Sequence, residues 1–268
     1  MIPKITLEKL SLSKIICGTN QFVGITHRNN PFDILLHKIR FREPKTIANF
    51  FIYLIEEHGI NCCLSSPREI LAKAINIAET ETGTKFHWLC SPSRRLTVKG
   101  VEANIFKQIE WCYENNVSIC LTHRNYTDEA LNKSNLTIGG QNSDLPPYPE
   151  ISAYIRDKGM IPGISTHMIE SIDAVEKQNY DAPIIIQPLN KIGFESNCTP
   201  DLLIKRIQST KLQIINIKPM AAGRISPNEG IPFSLKAIKS DDFLAVGFGK
   251  FQYCVNDMQM IEKILNSH

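Results

Sequence analysis

Short apolar runs recur along the chain at intervals that leave room for one helix each. There are eight: Lys14–Gly18, Ile60–Leu64, Phe86–Cys90, Ser118–Thr122, Met160–Ser165, Pro183–Gln187, Leu212–Lys218 and Phe243–Phe248. Gly, Pro, Asn or Ser bounds each run, and each is too short for a helix, so each is expected to be a strand. Helical patterns fill the gaps. Pro44 opens one that Gly59 ends, and Pro67 opens another that Gly83 follows. A third covers about Gly100–Asn115, with Ile105, Ile109, Trp111 and Cys112 facing the sheet. More helices are expected near Glu150–Lys158, Ile169–Gln178, Pro200–Ser209, Ile231–Lys239 and Gln252–Asn266. Strands alternating with helices call for a parallel sheet, because parallel neighbours need crossover connections. Eight such units in 268 residues match an α/β fold, the closed (β/α)8 or TIM barrel, usually about 250 residues long. Residues 1–268 then form one barrel domain, with Met1–Leu12 as a cap or short hairpin ahead of it.

Two connections are long, residues 19–43 and 123–149, and are read as loops that cover or line a site. A barrel states where function lies, at the C-terminal ends of its strands. The residues just after the apolar runs therefore matter most. They include Asn20, His27 and Arg28; Ser65, Ser66 and Arg68; Cys90, Ser91, Ser93 and Arg94; His123 and Arg124. The later strands add Ser165, Thr166 and His167; Gln187 and Asn190; Lys218 and Arg224; and Gly247, Gly249 and Lys250. This mouth is basic and rich in imidazole, and Glu170 is the only carboxylate expected near it.

His27, His123 and His167 are the acid/base candidates, since imidazole titrates near neutrality. Lys218 ends an apolar strand, where burial lowers its pKa unless it meets an anion. It could bind a phosphate or carboxylate, or form an imine with a carbonyl substrate. Asn20, Arg124, Gln187 and Asn190 are expected to hold substrate. The loops after strands 7 and 8 of a barrel often bind phosphate. Here they supply Lys218, Ala222, Gly223, Arg224, Gly247, Gly249 and Lys250 as the expected anion cradle. His167 and Glu170 are spaced as metal ligands, but that spacing arises freely by chance. Glu170 is read instead as decoration of a helix N-terminus, so no metal site is expected.

Composition narrows the picture. A net charge of +3 with scattered basic residues makes no case for nucleic acid. Charges break up Met1–Leu10, so it does not read as a signal peptide. No apolar run approaches the roughly 20 residues of a membrane span. The partner expected is a small anionic molecule, not a nucleic acid or a membrane, and the location expected is the cytoplasm. Most of the eight cysteines fall inside expected strands or helices and read as core thiols in a reducing compartment. Cys90, where a strand meets a loop, is the exception.

Several segments together resemble the aldo-keto reductase superfamily. Ser11–Gly18 (SLSKIICG) is similar to its opening strand, and Gly59–Leu71 (GINCCLSSPREIL) to its second strand and loop. Ser118–Arg124 (SICLTHR) resembles the strand ending in its active-site histidine. Gly163–Ser165 (GIS) and Gln187–Asn190 (QPLN) resemble its fifth and sixth strand segments. Lys218–Arg224 (KPMAAGR) and Ala245–Gly247 (AVG) are similar to the segments that cradle its nucleotide. The resemblance implies a barrel, NADP as cofactor and His123 as the matching histidine. The family's other catalytic groups, a tyrosine, a lysine and an aspartate, have no match. Cys62-Cys63-Leu64 and Pro67 stand where the aspartate and tyrosine would be, and Cys90-Ser91 where the lysine would be.

Three readings stay open. One is an enzyme acting on a small carbonyl or phosphorylated metabolite as a divergent NADP-dependent oxidoreductase. Another is a non-redox lyase, isomerase or aldolase using Lys218 or histidine chemistry. The third is a ligand-binding barrel without catalysis.

Overall fold

The computed structural model describes residues 1–26, 30–93, 98–140 and 145–266. An antiparallel hairpin comes first, β1 (Lys4–Leu7) and β2 (Leu10–Ser13), with Leu7 opposite Leu10. The first barrel strand, β3 (Ile15–Gly18), leads through a 3-10 turn at Asn20–Val23 into α1 (Pro31–Arg40) and α2 (Pro44–His58). There follow β4 (Cys62–Ser65), α3 (Glu69–Thr82), β5 (His87–Cys90), α4 (Ile105–Glu114), β6 (Ile119–Thr122) and α5 (Arg124–Ala130). A two-residue-strand hairpin, β7 (Leu131–Asn132) and β8 (Thr137–Ile138), interrupts the series before α6 (Tyr148–Asp157). The chain finishes with β9 (Ile161–Ser165), α7 (Glu170–Gln178), β10 (Ile184–Pro188), α8 (Pro200–Ser209), β11 (Gln213–Ile217), α9 (Pro227–Ala237), β12 (Phe243–Gly247) and α10 (Phe251–Leu265).

The eight parallel strands close in the order β3-β4-β5-β6-β9-β10-β11-β12, with β12 returning to β3. Every apolar run read as a strand is one. The expected helices are present too, with shifted starts. Pro67 lies outside α3, which begins at Glu69, and α4 begins at Ile105, where the Asn104 side chain accepts from the amides of Phe106 and Lys107. The two long connections are not simple loops: residues 19–43 contain α1, and residues 123–149 contain α5 and the β7–β8 hairpin.

Strand residues alternate between two hydrophobic layers, as the pleat requires. Ile16, Cys62, Leu89, Ile119, Leu121, Ile161, Ile184, Ile186, Ile215, Phe243 and Ala245 fill the barrel interior. Their neighbours Ile15, Cys17, Cys63, Cys90, Cys120, Ile164, Ile185, Ile214 and Leu244 face the helices. Seven of the eight cysteines are buried and all are free, Cys90 included. It turns outward under the helices, and burial pushes its thiol well above the ordinary cysteine range.

The N-terminal end of the barrel is plugged. Leu7 and Leu12 of the hairpin join the interior cluster. The Lys14 ammonium donates to the carbonyls of Lys239, Ser240 and Asp242 at 3.2, 2.9 and 2.9 Å. The fully buried Asp242 carboxylate accepts from Ile214 N, Lys239 N and Lys239 Nζ at 2.8, 2.9 and 2.8 Å. Asn61 ties the hairpin on, accepting from Ser13 N and donating to the Ser11 carbonyl, both at 2.9 Å. No described helix is long and apolar enough to cross a membrane.

Candidate active site

The opposite end is open. A cavity of about 1240 Å³ begins among the strand ends and runs out over the seam between β12 and β3. Its floor follows from the pleat. Positions in phase with the interior residues reach it: Gly18, Leu64, Ser66, Ser91, His123, Ser165, His167, Ile186, Ile217, Ala245 and Gly247. Of the expected site residues, Asn20, His123, Arg124, His167, Lys218, Ala222, Gly223, Arg224, Gly247, Gly249 and Lys250 all line it. His27, with Arg28 and Arg94, lies outside the described residues.

Gln187 and Asn190 do not line the cavity, which corrects their expected placement. Ile184 and Ile186 point into the barrel, so Gln187 is turned to the helix layer, where its Nε2 donates to Met168 O at 3.1 Å. Asn190 braces the loop after β10, accepting from Phe194 N at 2.8 Å and donating to Phe194 O at 3.0 Å. Asn190 thereby sets out Phe194 and Glu195. The Arg224 guanidinium lies 4.0 Å from the Phe194 ring centroid, a cation–π distance. Glu195 accepts a short hydrogen bond from Lys218 Nζ and lies 3.5 Å from His167 Nδ1.

Glu170 is not the carboxylate of this mouth. Lys133 and Asn197 hold it at 2.8 and 2.6 Å. Asp33 and Asp257 line the mouth, and Glu195 and Asp128 stand behind Lys218 and His167. Asp128 accepts from Thr166 Oγ1 at 2.5 Å and from His167 N at 3.2 Å, fixing the segment that carries His167. Among the described residues, no group of His, Cys, Asp and Glu is placed to hold a metal ion.

His123 caps α5, its Nδ1 accepting from Asn125 N at 3.1 Å. An accepting Nδ1 assigns the proton to Nε2. Burial, then the Arg124 and Lys218 charges, pull its pKa down to about 4. His167 falls to about 3, from burial first and then Lys218 and Arg124, with Glu195 opposing. Both imidazoles are therefore neutral at pH 7. Burial also lowers Lys218, while its hydrogen bond to Glu195 works the other way. A carboxylate partner favours the ammonium, but burial outweighs it and the pKa stays below the ordinary lysine value. Lys218 also sits at φ +60°, and the two alanines after Met220 are left-handed as well, at +48° and +57°.

The small-residue segments do not present a bare amide cradle. Gly223 N is bonded to Met220 O at 2.7 Å, and Gly249 O accepts from Arg40 Nη1 at 2.5 Å. What they provide is close approach. A Cβ on Gly18 would lie 3.2 Å from the backbone of Val246 and Gly247, and one on Gly247 would run into the Gln21 side chain. Charge comes from side chains: Arg40, Arg124, Lys218, Arg224 and Lys250 line the cavity, against Asp33 and Asp257. Arg40, on the unforeseen α1, and Glu195 carry no sequence pattern that marks them. The pleat phase, by contrast, could have excluded Gln187 in advance.

No family model matches the chain, and no curated protein matches its sequence. Solved structures do match its fold. A protein described as an aldo-keto reductase from Pseudomonas aeruginosa is similar over 97% of this chain and 94% of its own, with 13% identity and a TM-score of 0.62. Gox0644 in its apo form covers 98% and 94%, with 10% identity and a TM-score of 0.58. A truncated 3-deoxy-D-arabino-heptulosonate 7-phosphate synthase from Thermotoga maritima covers 99% and 93%, with 12% identity and a TM-score of 0.54. The resemblance read from the sequence is thus met at the level of the fold, a TIM barrel like that of an aldo-keto reductase. Non-redox barrels share that fold.

Proposed function

We propose that the chain is an enzyme acting on a small carbonyl metabolite that bears an anionic group, with NADP(H) as its cofactor. One observation carries this reading: two neutral imidazoles and a carboxylate-held ammonium meet at one end of a large cavity lined by five cationic side chains. At about 1240 Å³ the cavity exceeds the roughly 300–1,000 Å³ that houses one drug-sized ligand, leaving room for a dinucleotide and a substrate together. The lining fits the cofactor's charge. Arg224 and Lys250 would hold its phosphates, and Ala222, Gly223, Gly247 and Gly249 would let it approach the β11 and β12 ends. When bound, such a cofactor supplies or accepts hydride at a carbonyl carbon.

The chain's own groups would handle the oxygen. A developing alkoxide needs hydrogen-bond donors and a proton. The His123 Nε2–H is one donor. The Lys218 ammonium is the proton source, made more acidic by burial, with Glu195 fixing its head group. These replace the tyrosine that the family would use; among the described lining residues the one phenol is Tyr253, out at the rim over which Lys250 lies. Arg124, exposed at the start of α5, would meet the substrate's anionic group.

The missing tyrosine and lysine favour a second reading, proton-transfer chemistry on a phosphorylated metabolite, as in the non-redox relatives of this fold. Titration of the purified protein with NADPH, followed by cofactor fluorescence and thermal shift, separates the two. Saturable binding at micromolar cofactor is expected. No binding at millimolar NADPH would remove the cofactor reading and leave the second.

A further inference from the structure

Helix α1 carries its amphipathic pattern inside out. Phe32, Leu35, Leu36 and Ile39 are 65%, 54%, 40% and 58% exposed, and no residue of the helix is buried. Spacings of three, four and seven residues put all four on one stripe. The polar residues Asp33, His37 and Arg40 face the cavity instead, with Leu36 at the border between the two faces. The helix is tied to the barrel by its polar side and its end. Arg40 Nη1 donates to Gly249 O at 2.5 Å, and Phe41, just past the last turn, is buried between Phe22 and Phe50. A helix of 10 residues is marginal without apolar burial of its own. Single exposed apolar side chains are ordinary, but a contiguous stripe of them marks a surface made for contact.

The arrangement of the stripe about the middle of the helix selects its occupant. A two-fold axis crossing the helix between Leu35 and Leu36 generates a second α1 that runs antiparallel. Phe32 then faces Ile39 of the second copy, and Leu35 faces its Leu36, so every apolar side chain of the stripe meets another. The charges agree with this register. Asp33 is the acidic residue of the first turn, and His37, Lys38 and Arg40 are the basic residues of the last. Antiparallel pairing lays each first turn beside the other copy's last turn and opposes the two helix dipoles. Asp33 and Arg40 also lie on the same side of the stripe, at 100° per residue, as a two-fold axis requires of groups that meet along its edge. Arg40 keeps donors beyond the one given to Gly249 O. A parallel pair would set Asp33 against Asp33. A lipid surface asks for cations along the helix, whereas here the first turn is acidic. We infer that α1 is a dimerisation element, packing antiparallel against α1 of a second copy of this chain. The contact is small: ten residues span about 15 Å, short of the roughly 800 Å² per partner of a tight complex. The dimer therefore forms at micromolar concentration and braces one cavity wall from outside. This does not depend on the reaction or the cofactor proposed above.

Sedimentation velocity of the full chain tests it. The wild type should pass from monomer to dimer as its concentration rises from about 1 to about 200 μM. Leu35→Glu, at a position already exposed in the monomer, should melt like the wild type in dilute solution. It should weaken dimerisation by roughly tenfold or more, because it sets a carboxylate in the apolar centre of the contact. Leu35→Glu/Leu36→Lys sets opposite charges face to face in the antiparallel register and like charges face to face in a parallel one. It should dimerise more tightly than Leu35→Glu alone. The inference falls if the wild type stays monomeric at the highest concentration, if Leu35→Glu dimerises as well as the wild type, or if the double variant gains nothing over Leu35→Glu. Co-flotation of monomeric wild type with phosphatidylcholine/phosphatidylserine vesicles, abolished by Leu35→Glu, would assign the stripe to a lipid surface and overturn it as well.

Discussion

The two ends of the barrel treat buried polarity in opposite ways. At the plugged end each key group has its full set of partners: three carbonyls for the Lys14 ammonium, three donors for the Asp242 carboxylate. At the open end Gln21, Thr26 and His37 keep atoms that no protein group satisfies, and five cations line the cavity against two carboxylates. The first end is built for stability. The second leaves buried polar atoms unpaired, and under the proposed reading it gives up stability there for binding.

Substitutions at the two ends should therefore separate stability from binding. The largest effect is expected at the plugged end. Asp242→Ala leaves two amides without an acceptor and the Lys239 ammonium with only the Ile207 and Leu212 carbonyls, and should cost about 3–5 kcal/mol in urea unfolding; a loss below about 1 kcal/mol would mean that this end does not bear the fold. At the open end, Arg224→Met should lower pyrophosphate affinity by about 10- to 100-fold, the range for a charge-assisted hydrogen bond. Unfolding should move little, because Arg224 is exposed. A variant that unfolds readily yet binds normally would reverse the comparison.

A further effect is on pH dependence. The folded pKa values of His123 and His167, about 4 and about 3, lie below the unfolded value of about 6.5. The unfolded chain thus binds more protons between these limits, and stability is full above about pH 6.5 and declines as pH falls towards 4. His123→Gln/His167→Gln should show a smaller drop in urea midpoint between pH 7 and pH 5 than the wild type. An equal drop would place the acid sensitivity elsewhere.

The barrel was legible because each of its strands is apolar on both faces, a demand few other settings make. The histidines were legible because they follow those strands directly; His123 and His167 lie two residues beyond Leu121 and Ser165 and keep the inward phase. Gln187 misled for the same reason in reverse, being one residue out of phase with Ile186. The helix α1 was hidden inside a polar connection, and none of its apolar residues is buried: Phe32, Leu35, Leu36 and Ile39 are all exposed. Glu195 was hidden because its position depends on Asn190 gripping both polar groups of Phe194, a tertiary contact with no periodic trace.

The left-handed backbone at Lys218 has a consequence of its own. Side chains in that conformation cost about 1–2 kcal/mol that glycine avoids, so Lys218→Gly relaxes the main chain while it deletes the head group. Lys218 bears that cost while its ammonium holds Glu195, so the glycine variant exchanges an ion pair beside His167 for an unstrained main chain.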